Sequence, residues 1–309
     1  MPAEKIRVEV EERTLEVSNL DKVLYPEVGF TKGEVIDYYT RIAPVLLPHL
    51  RDRPLTRIRY PNGVDSSFFF EKNAPASTPE WVRLERLPAP GSSKDRDELD
   101  YVVCDDLPTL VWLANLAALE MHTPQWRVGT RSRGEPRPDL MVVDLDPGSP
   151  AGLPECCVVA VRMRDRLAED GIASYPKTSG KKGMQLCCPI AGKQSAEEVS
   201  GYARRIAEEL EQGDPKLVTA KMAKRLRPGK IFIDWSQNNS AKTTVAPYSL
   251  RAQAVPAAST PLTWTEVEAA SSGELGAVRP FTAAEVLARA EEYGDLMADL
   301  LVAGPKLPR

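Results

Sequence analysis

Two aspartates one residue apart, Asp144 and Asp146 in the segment VVDLDPG, are the first feature of the chain that could do chemistry. At i and i+2 on a strand, both side chains project from the same face. Carboxylates so placed repel and raise each other's pKa unless a cation lies between them. All-oxygen ligands suit a hard ion, Mg2+ or Mn2+. A third acid, Asp234, ends a similar apolar stretch in KIFIDWSQN. Three carboxylates at strand ends could hold two metals about 3.5–4 Å apart, the arrangement used for in-line displacement at phosphorus. Taken alone, Asp-x-Asp before Pro-Gly also describes a strand running into a solvated turn, and the sequence does not say that the two strands are neighbours.

Residues 177–190, KTSGKKGMQLCCPI, add a candidate phosphate cradle. Ser179 offers a hydroxyl, Lys181 and Lys182 offer ammonium groups, and the flanking glycines free backbone N–H groups. Gln185 is one polar residue in the apolar run that follows. Further donors come after the third acid: Gln237 and Lys242 in WSQNNSAKTT, and Arg251 in PYSLRA. Such a set would bind a triphosphate whose charge metals partly neutralise, although each Lys or Arg taken singly reads as a solvated surface charge. Phe68, Phe69 and Phe70 are consecutive, so at least one ring faces away from whichever side is buried. An outward ring beside basic residues is a stacking platform for a base; packing of an edge strand is the alternative.

The elements that must position these groups read as follows. Thr31 and Glu34 have capping-box spacing, and Val35, Tyr38, Ile42 and Val45 recur at helical intervals, which predicts a helix over 31–50. LTRIRYPNG and SSFFFEKN read as two short strands around a Pro-Asn-Gly turn. A polar loop is expected from Pro88 to Arg96. LDYVVCDD reads as a strand, and Pro108 opens a helix, TLVWLANLAALEMH, apolar on nearly every side and ending near His122. LMVVDLDPG is a strand, a helix covers roughly 154–170, IASYP is a strand, and Ser195 with Glu198 caps a further helix. TAKMAKRLRPGK gathers five basic residues and runs into the strand IFIDWS, and one or two peripheral helices are expected beyond Pro256. Strands and helices mix without strict alternation, so the expected class is α+β with mixed or antiparallel sheets flanked by helices.

Composition sets the outer limits. The 309 residues, 42% hydrophobic and 27% charged, describe an ordinary soluble globular protein. A net charge of −4 does not announce a nucleic-acid binder, so any basic surface is local. There is no run of about 18 apolar residues and no charged-then-apolar leader, which leads to an expectation of no membrane span and a cytoplasmic protein. Five cysteines in an odd arrangement fit neither a disulfide framework nor zinc spacing and are expected reduced and buried. Two histidines, His49 and His122, make a His-rich zinc site or a Ser-His-Asp triad improbable.

Taken in order, SNLDKVLYPEVGFTK, RPLTRIRYPNGVDSSFFFEK, ALEMHTPQWR, VVDLDPG, TSGKKG and IFIDWSQNNSAKTTVAPYSLR resemble the polymerase domain of bacterial DNA ligase D, a member of the archaeo-eukaryotic primase superfamily that works with Ku in non-homologous end joining. The resemblance runs nearly end to end. It implies a single primase-polymerase domain over 1–309, with a 5′-phosphate and DNA-binding part at 1–50, a catalytic core at 51–255 and a peripheral segment at 256–309. It also implies that Asp144, Asp146 and Asp234 carry two divalent ions, Mn2+ or Mg2+. His122, Ser179, Lys182, Gln237, Lys242 and Arg251 fall where the family binds or shapes the pocket for the incoming triphosphate. Asn19, Lys22 and Lys32 match the pocket for the 5′-phosphate at a gap or break, and Phe69 and Phe70 match rings that stack on the templating base.

Two positions depart from the pattern. Gln185 stands where the family usually has a histidine that contacts the nucleotide phosphates, and Ile58 where a lysine is frequent. A glutamine amide can donate to a phosphate oxygen but cannot titrate near neutral pH, so Gln185 is expected to bind nucleotide without titrating.

The implied function is template-directed nucleotidyl transfer with ribonucleotides preferred. It would fill gaps and extend ends during break repair in the bacterial nucleoid, in company with Ku and a ligase. Two other readings stay open. One is a DNA-end-binding scaffold with a decayed nucleotide site, which the retained acids oppose. The other is a metal-dependent phosphoesterase or nuclease in which water attacks. The chain lacks a K-x-D-G ligase motif, so either an excised domain or a stand-alone polymerase is expected.

Overall fold

The computed structural model describes residues 5–88, 97–132, 135–274 and 276–308; most of the loop expected at 88–96 lies outside them. The fold is α+β, and its contacts divide it into two compact units, one of residues 1–123, 248–257 and 282–294, the other of 124–247, 258–281 and 295–309.

In the first unit, helix α1 (Lys32–Leu50) begins as the sequence predicts. Thr31 accepts the backbone N–H of Glu34, and the Glu34 carboxylate takes the Thr31 N–H in return. The face it buries carries Val35, Tyr38, Tyr39, Ile42, Leu46 and Leu50. Leu46, one position on from the expected Val45, completes that face. Strand Thr56–Arg59 lies between two antiparallel neighbours, Phe69–Glu71 and Ala118–Thr123.

The second of these neighbours corrects the sequence reading. Helix α2 (Leu107–Asn115) stops well short of His122, Ala117 takes a left-handed φ of 56°, and residues 118–123 become a strand. This strand is buried on both faces apart from His122, so it shows no alternation, and a continuous apolar run cannot be told from a buried helix.

The second unit is built on a five-stranded sheet in the order Tyr175–Thr178, Met184–Pro189, Leu140–Pro147, Ile231–Asp234, Val218–Thr219, antiparallel except for the last pair. Helices α3 (Leu153–Glu169) and α4 (Ala196–Gly213) pack against it. Register divides one face of this sheet into two zones. Leu140, Val142, Cys187 and Tyr175 form an apolar half packed with Met297 and Leu300. Two residues further along the same strands stand Asp144, Gln185 and Lys177, with Asp234 opposite Asp144. Asn238, on the turn after Asp234, replaces a strand neighbour: its amide oxygen accepts from Val142 N and its Nδ2 donates to Val142 O, both at 2.8 Å. All five cysteines are buried and free, as expected.

Asn238→Ala strands two buried backbone groups of the strand that bears Asp144 and should cost about 2 kcal/mol, measurable as a lower urea midpoint at unchanged slope.

Candidate active site

Asp144 and Asp234 are directly paired residues of adjacent strands, and Asp146, on the same face as Asp144, pairs with Phe232. Opposed like charges destabilise a strand pair. Burial raises the Asp144 carboxyl to about 7, reinforced by repulsion from Asp146 and Asp234 and opposed by a Gln185 hydrogen bond and the charge of Lys177. Asp146 is raised too, by burial and then by Asp234, against the pull of Arg227 and Lys242.

Donors occupy the carboxylate oxygens. Gln185 Nε2 donates to Asp144 Oδ1 at 3.0 Å, and Gln237 Nε2 lies 3.4 Å from Asp144 Oδ2 and 3.2 Å from Asp234 Oδ2, linking the two acids. Ser236 gives Asp234 Oδ1 both its hydroxyl, at 2.5 Å, and its backbone N–H, at 3.0 Å. Lys242 donates to the Ser236 hydroxyl and stands 3.6 Å from Asp234 Oδ2. Among the described residues no three His, Cys, Asp or Glu side chains are gathered closely enough to hold an ion as they stand. The donor set nonetheless suits a hard divalent cation: oxygen ligands only, on one sheet face, with mutual repulsion for a cation to relieve.

The cradle folds around the Ser179 hydroxyl, which accepts the N–H groups of Lys181 at 3.3 Å and Gly183 at 3.2 Å. Gly183 sits so close to the Asp144 strand that a Cβ would meet Leu145 O at 2.2 Å. Lys181 and Lys182 project into solvent. Gln185 does not join this turn. It is buried beside Asp144 on the neighbouring strand, with its oxygen 2.5 Å from Lys177 Nζ.

The remaining expected nucleotide residues lie in the first unit. His122 Nε2 is 2.9 Å from Glu120 Oε2 and Arg251 Nε is 3.4 Å from Glu120 Oε1, so one fully buried carboxylate holds both. The same unit brings Asn19, Lys22 and Lys32 together. Asn19 adopts a left-handed φ of 55° and turns the chain so that Lys22 N bonds Asn19 O, while Lys32 N bonds Lys22 O at the start of α1. Burial, with Lys22 adding repulsion, lowers Lys32 to about 8. Its Nζ donates to Ser18 O at 2.5 Å and Lys22 Nζ to Asn62 Oδ1 at 2.9 Å. Phe68, Phe69 and Phe70 are all exposed, at 57%, 51% and 56%.

The model of the LigD primase-polymerase domain family matches residues 31–297. The chain belongs to that family. A LigD primase-polymerase domain is a nucleotidyltransferase of the polymerase class. The multifunctional non-homologous end joining protein LigD of Mycolicibacterium smegmatis is 46% identical over 285 residues, which cover 92% of this chain and 36% of that protein. The bifunctional non-homologous end joining protein LigD of Bacillus subtilis is 34% identical over 281 residues, 91% of this chain and 43% of that one. The chain thus spans less than half the length of these relatives. The polymerase domain of Mycobacterium tuberculosis ligase D, solved in complex with DNA, shares 41% identity at a TM-score of 0.85, covering 94% of this chain and 99% of that one. The LigD polymerase fold, an archaeo-eukaryotic primase-like architecture, is therefore the fold of this chain. Among the described residues no helix is long and apolar enough to cross a membrane.

Sequence reasoning missed Glu120, Lys177, Ser236 and Asn238. Asn238 and Ser236 lie in the quoted WSQNN, but nothing local shows that their side chains turn back onto strands. Glu120 sits within an apolar run, where a charge is the one available signal, whereas Lys177 heads the polar segment KTSGKKG and nothing local marks it as buried.

The Asp144 carboxyl, at about 7, lies above the unfolded value of about 3.9. Between those values the native state binds more protons than the unfolded one, so stability falls as pH rises from 4 to 7 and the whole penalty is present above 7. In EDTA, Asp144→Asn should therefore be more stable than wild type at pH 8, by an amount of the order of a few kcal/mol, and should lose that advantage at pH 4, as read by chemical denaturation.

Proposed function

We propose that the chain is a template-directed, metal-dependent polymerase that binds 5′-phosphorylated gaps or breaks and fills or extends their ends, with ribonucleotides preferred, in the repair of DNA gaps and double-strand breaks. The pairing of Asp144 with Asp234, with Asp146 on the same face, carries this reading. Asp144, Asp146 and Asp234 would hold two divalent cations, Mn2+ or Mg2+. The chemistry supplied by bound cations is activation of the primer 3′-hydroxyl and neutralisation of charge at the α-phosphorus and pyrophosphate.

The chain's own residues supply the rest. Ser179 shapes the turn that displays Lys182, and Lys242, tied to Ser236, brings a cation to the side of Asp234. Gln237 bridges Asp144 and Asp234 and fixes their separation. In the first unit Glu120 orients His122 and Arg251, so that these donors meet nucleotide phosphates in one geometry. Lys22 and Lys32, close together at the start of α1, suit the 5′-phosphate of a broken end. The exposed Phe69 and Phe70 suit stacking on a templating base. Ku and a DNA ligase are the partners that the family resemblance implies, and the relatives' names state non-homologous end joining.

Primer extension on gapped DNA, with and without a 5′-phosphate, comparing Mn2+ with Mg2+ and NTPs with dNTPs, tests the reading. Wild type should add nucleotides, best with Mn2+ and NTPs. Asp144→Ala should fall to background while still binding the 5′-phosphorylated gap. Binding without addition by wild type would favour a scaffold, and shortening of the primer a nuclease.

Lys32 supports a second prediction. Only its protonated form attracts phosphate, so the affinity advantage given by a 5′-phosphate should decline as pH rises through about 8. Lys32→Arg, charged throughout that range, should flatten the decline in fluorescence-anisotropy titrations.

A further inference from the structure

Lys177 has no part in the function proposed above, yet it is among the most buried charges of the chain, at 1% exposure. It sits on the strand Tyr175–Thr178, paired with Gln185, which is in turn paired with Asp144. Its Nζ donates to Gln185 Oε1 at 2.5 Å, Ser259 Oγ at 2.7 Å and Val245 O at 3.0 Å. Burying an ammonium group is costly, and three acceptors offset part of that cost. Two of them only tie down neighbouring segments; the third touches the acid cluster.

A carboxamide can sit in either of two orientations, and its neighbours must choose between them. An ammonium group only donates, so it forces the Gln185 oxygen towards itself and the Gln185 NH2 towards Asp144. Reversal would set amide N–H against ammonium and amide oxygen against carboxylate. Asp144 Oδ1 thereby receives a donor with one fixed direction, and Gln237 meets the other oxygen. A lysine placed directly on Asp144 would neutralise it and compete with a cation. A neutral amide between the two holds the carboxylate without discharging it.

We propose that Lys177, acting through Gln185, is a positioning residue for Asp144, setting the carboxylate's orientation for divalent-ion binding. Gln185 thus serves the acid cluster rather than the triphosphate. The inference rests on the metal-dependent reading of the site.

The test is a double-mutant cycle on Mn2+ affinity, read from the EPR signal of free Mn2+, with wild type, Lys177→Met, Gln185→Met and the double variant at one pH, and with thermal midpoints recorded for each. Each single change should weaken Mn2+ binding about tenfold, the range for groups that orient metal ligands. The double change should weaken it no further, because one residue works through the other. A lowered midpoint at unchanged Mn2+ affinity, or effects that add, would overturn the proposal and leave Lys177 a purely structural charge. If Lys177→Met does not fold, Lys177→Gln, which keeps a donor without the charge, takes its place. If that also fails, Gln185→Met, which leaves Lys177 its bonds to Val245 and Ser259, must still show the tenfold loss. Wild type that neither binds Mn2+ nor extends a primer would remove the polymerase reading along with this one. Wild type that does both, with variants of unchanged affinity, would remove only this one.

Discussion

Asp144 and Asp234 face each other across hydrogen-bonded strands, with Asp146 on the same face, and the rest of the second unit is arranged around the repulsion this creates. The sheet cannot relieve it by sliding: a slip of one residue in the Asp144 strand would turn Val142 out of the apolar half and carry the acids to the opposite face, where Val143 and Leu145 are buried. Asn238 pins the register further through Val142. The acids are met instead by a ring of donors, Gln185, Gln237, Ser236 and Lys242, that are mostly neutral. Neutral donors hold carboxylates in place and leave their charge for a cation.

In the first unit the charged groups are paired directly instead. Glu120 takes His122 and Arg251 together, so one carboxylate serves two donors. The backbone around them hangs on tyrosine hydroxyls: Tyr38 donates to Tyr248 O, Tyr39 to Leu119 O and Tyr25 to Arg251 O. Two of these tyrosines lie on the buried face of α1, whose first residue is Lys32. The helix that begins at Lys32 therefore also braces the segments bearing Arg251 and His122.

Much of this was legible in the sequence, and the rest was hidden for physical reasons. Asp-x-Asp announces two acids on one face because strand periodicity is local, and Thr31 with Glu34 announces α1 because a capping box is local too. That Asp234 lies opposite Asp144 depends on strand order, which pattern does not encode, and only the resemblance brought the three acids together. A strand buried on both faces loses its alternation, so in the sequence the run from Thr109 to His122 reads as one helix and places His122 on the wrong element. Gln185 was identified as the odd residue of its strand, but its direction is set by Lys177 on one neighbouring strand and Asp144 on the other. Neither partner can be assigned from one strand's sequence.

If the Asp144 cluster is a cation site under electrostatic tension, Mn2+ must shift the thermal midpoint of the protein. A ligand at about 100 times its dissociation constant stabilises a protein by about 2.7 kcal/mol. Wild type should show a clear rise at pH 8 and a smaller one at pH 6, where protons compete for Asp144, and a variant carrying Asp144→Asn with Asp234→Asn should show none. An unchanged midpoint at pH 8, or a rise that survives in the double variant, would contradict a cation site at Asp144.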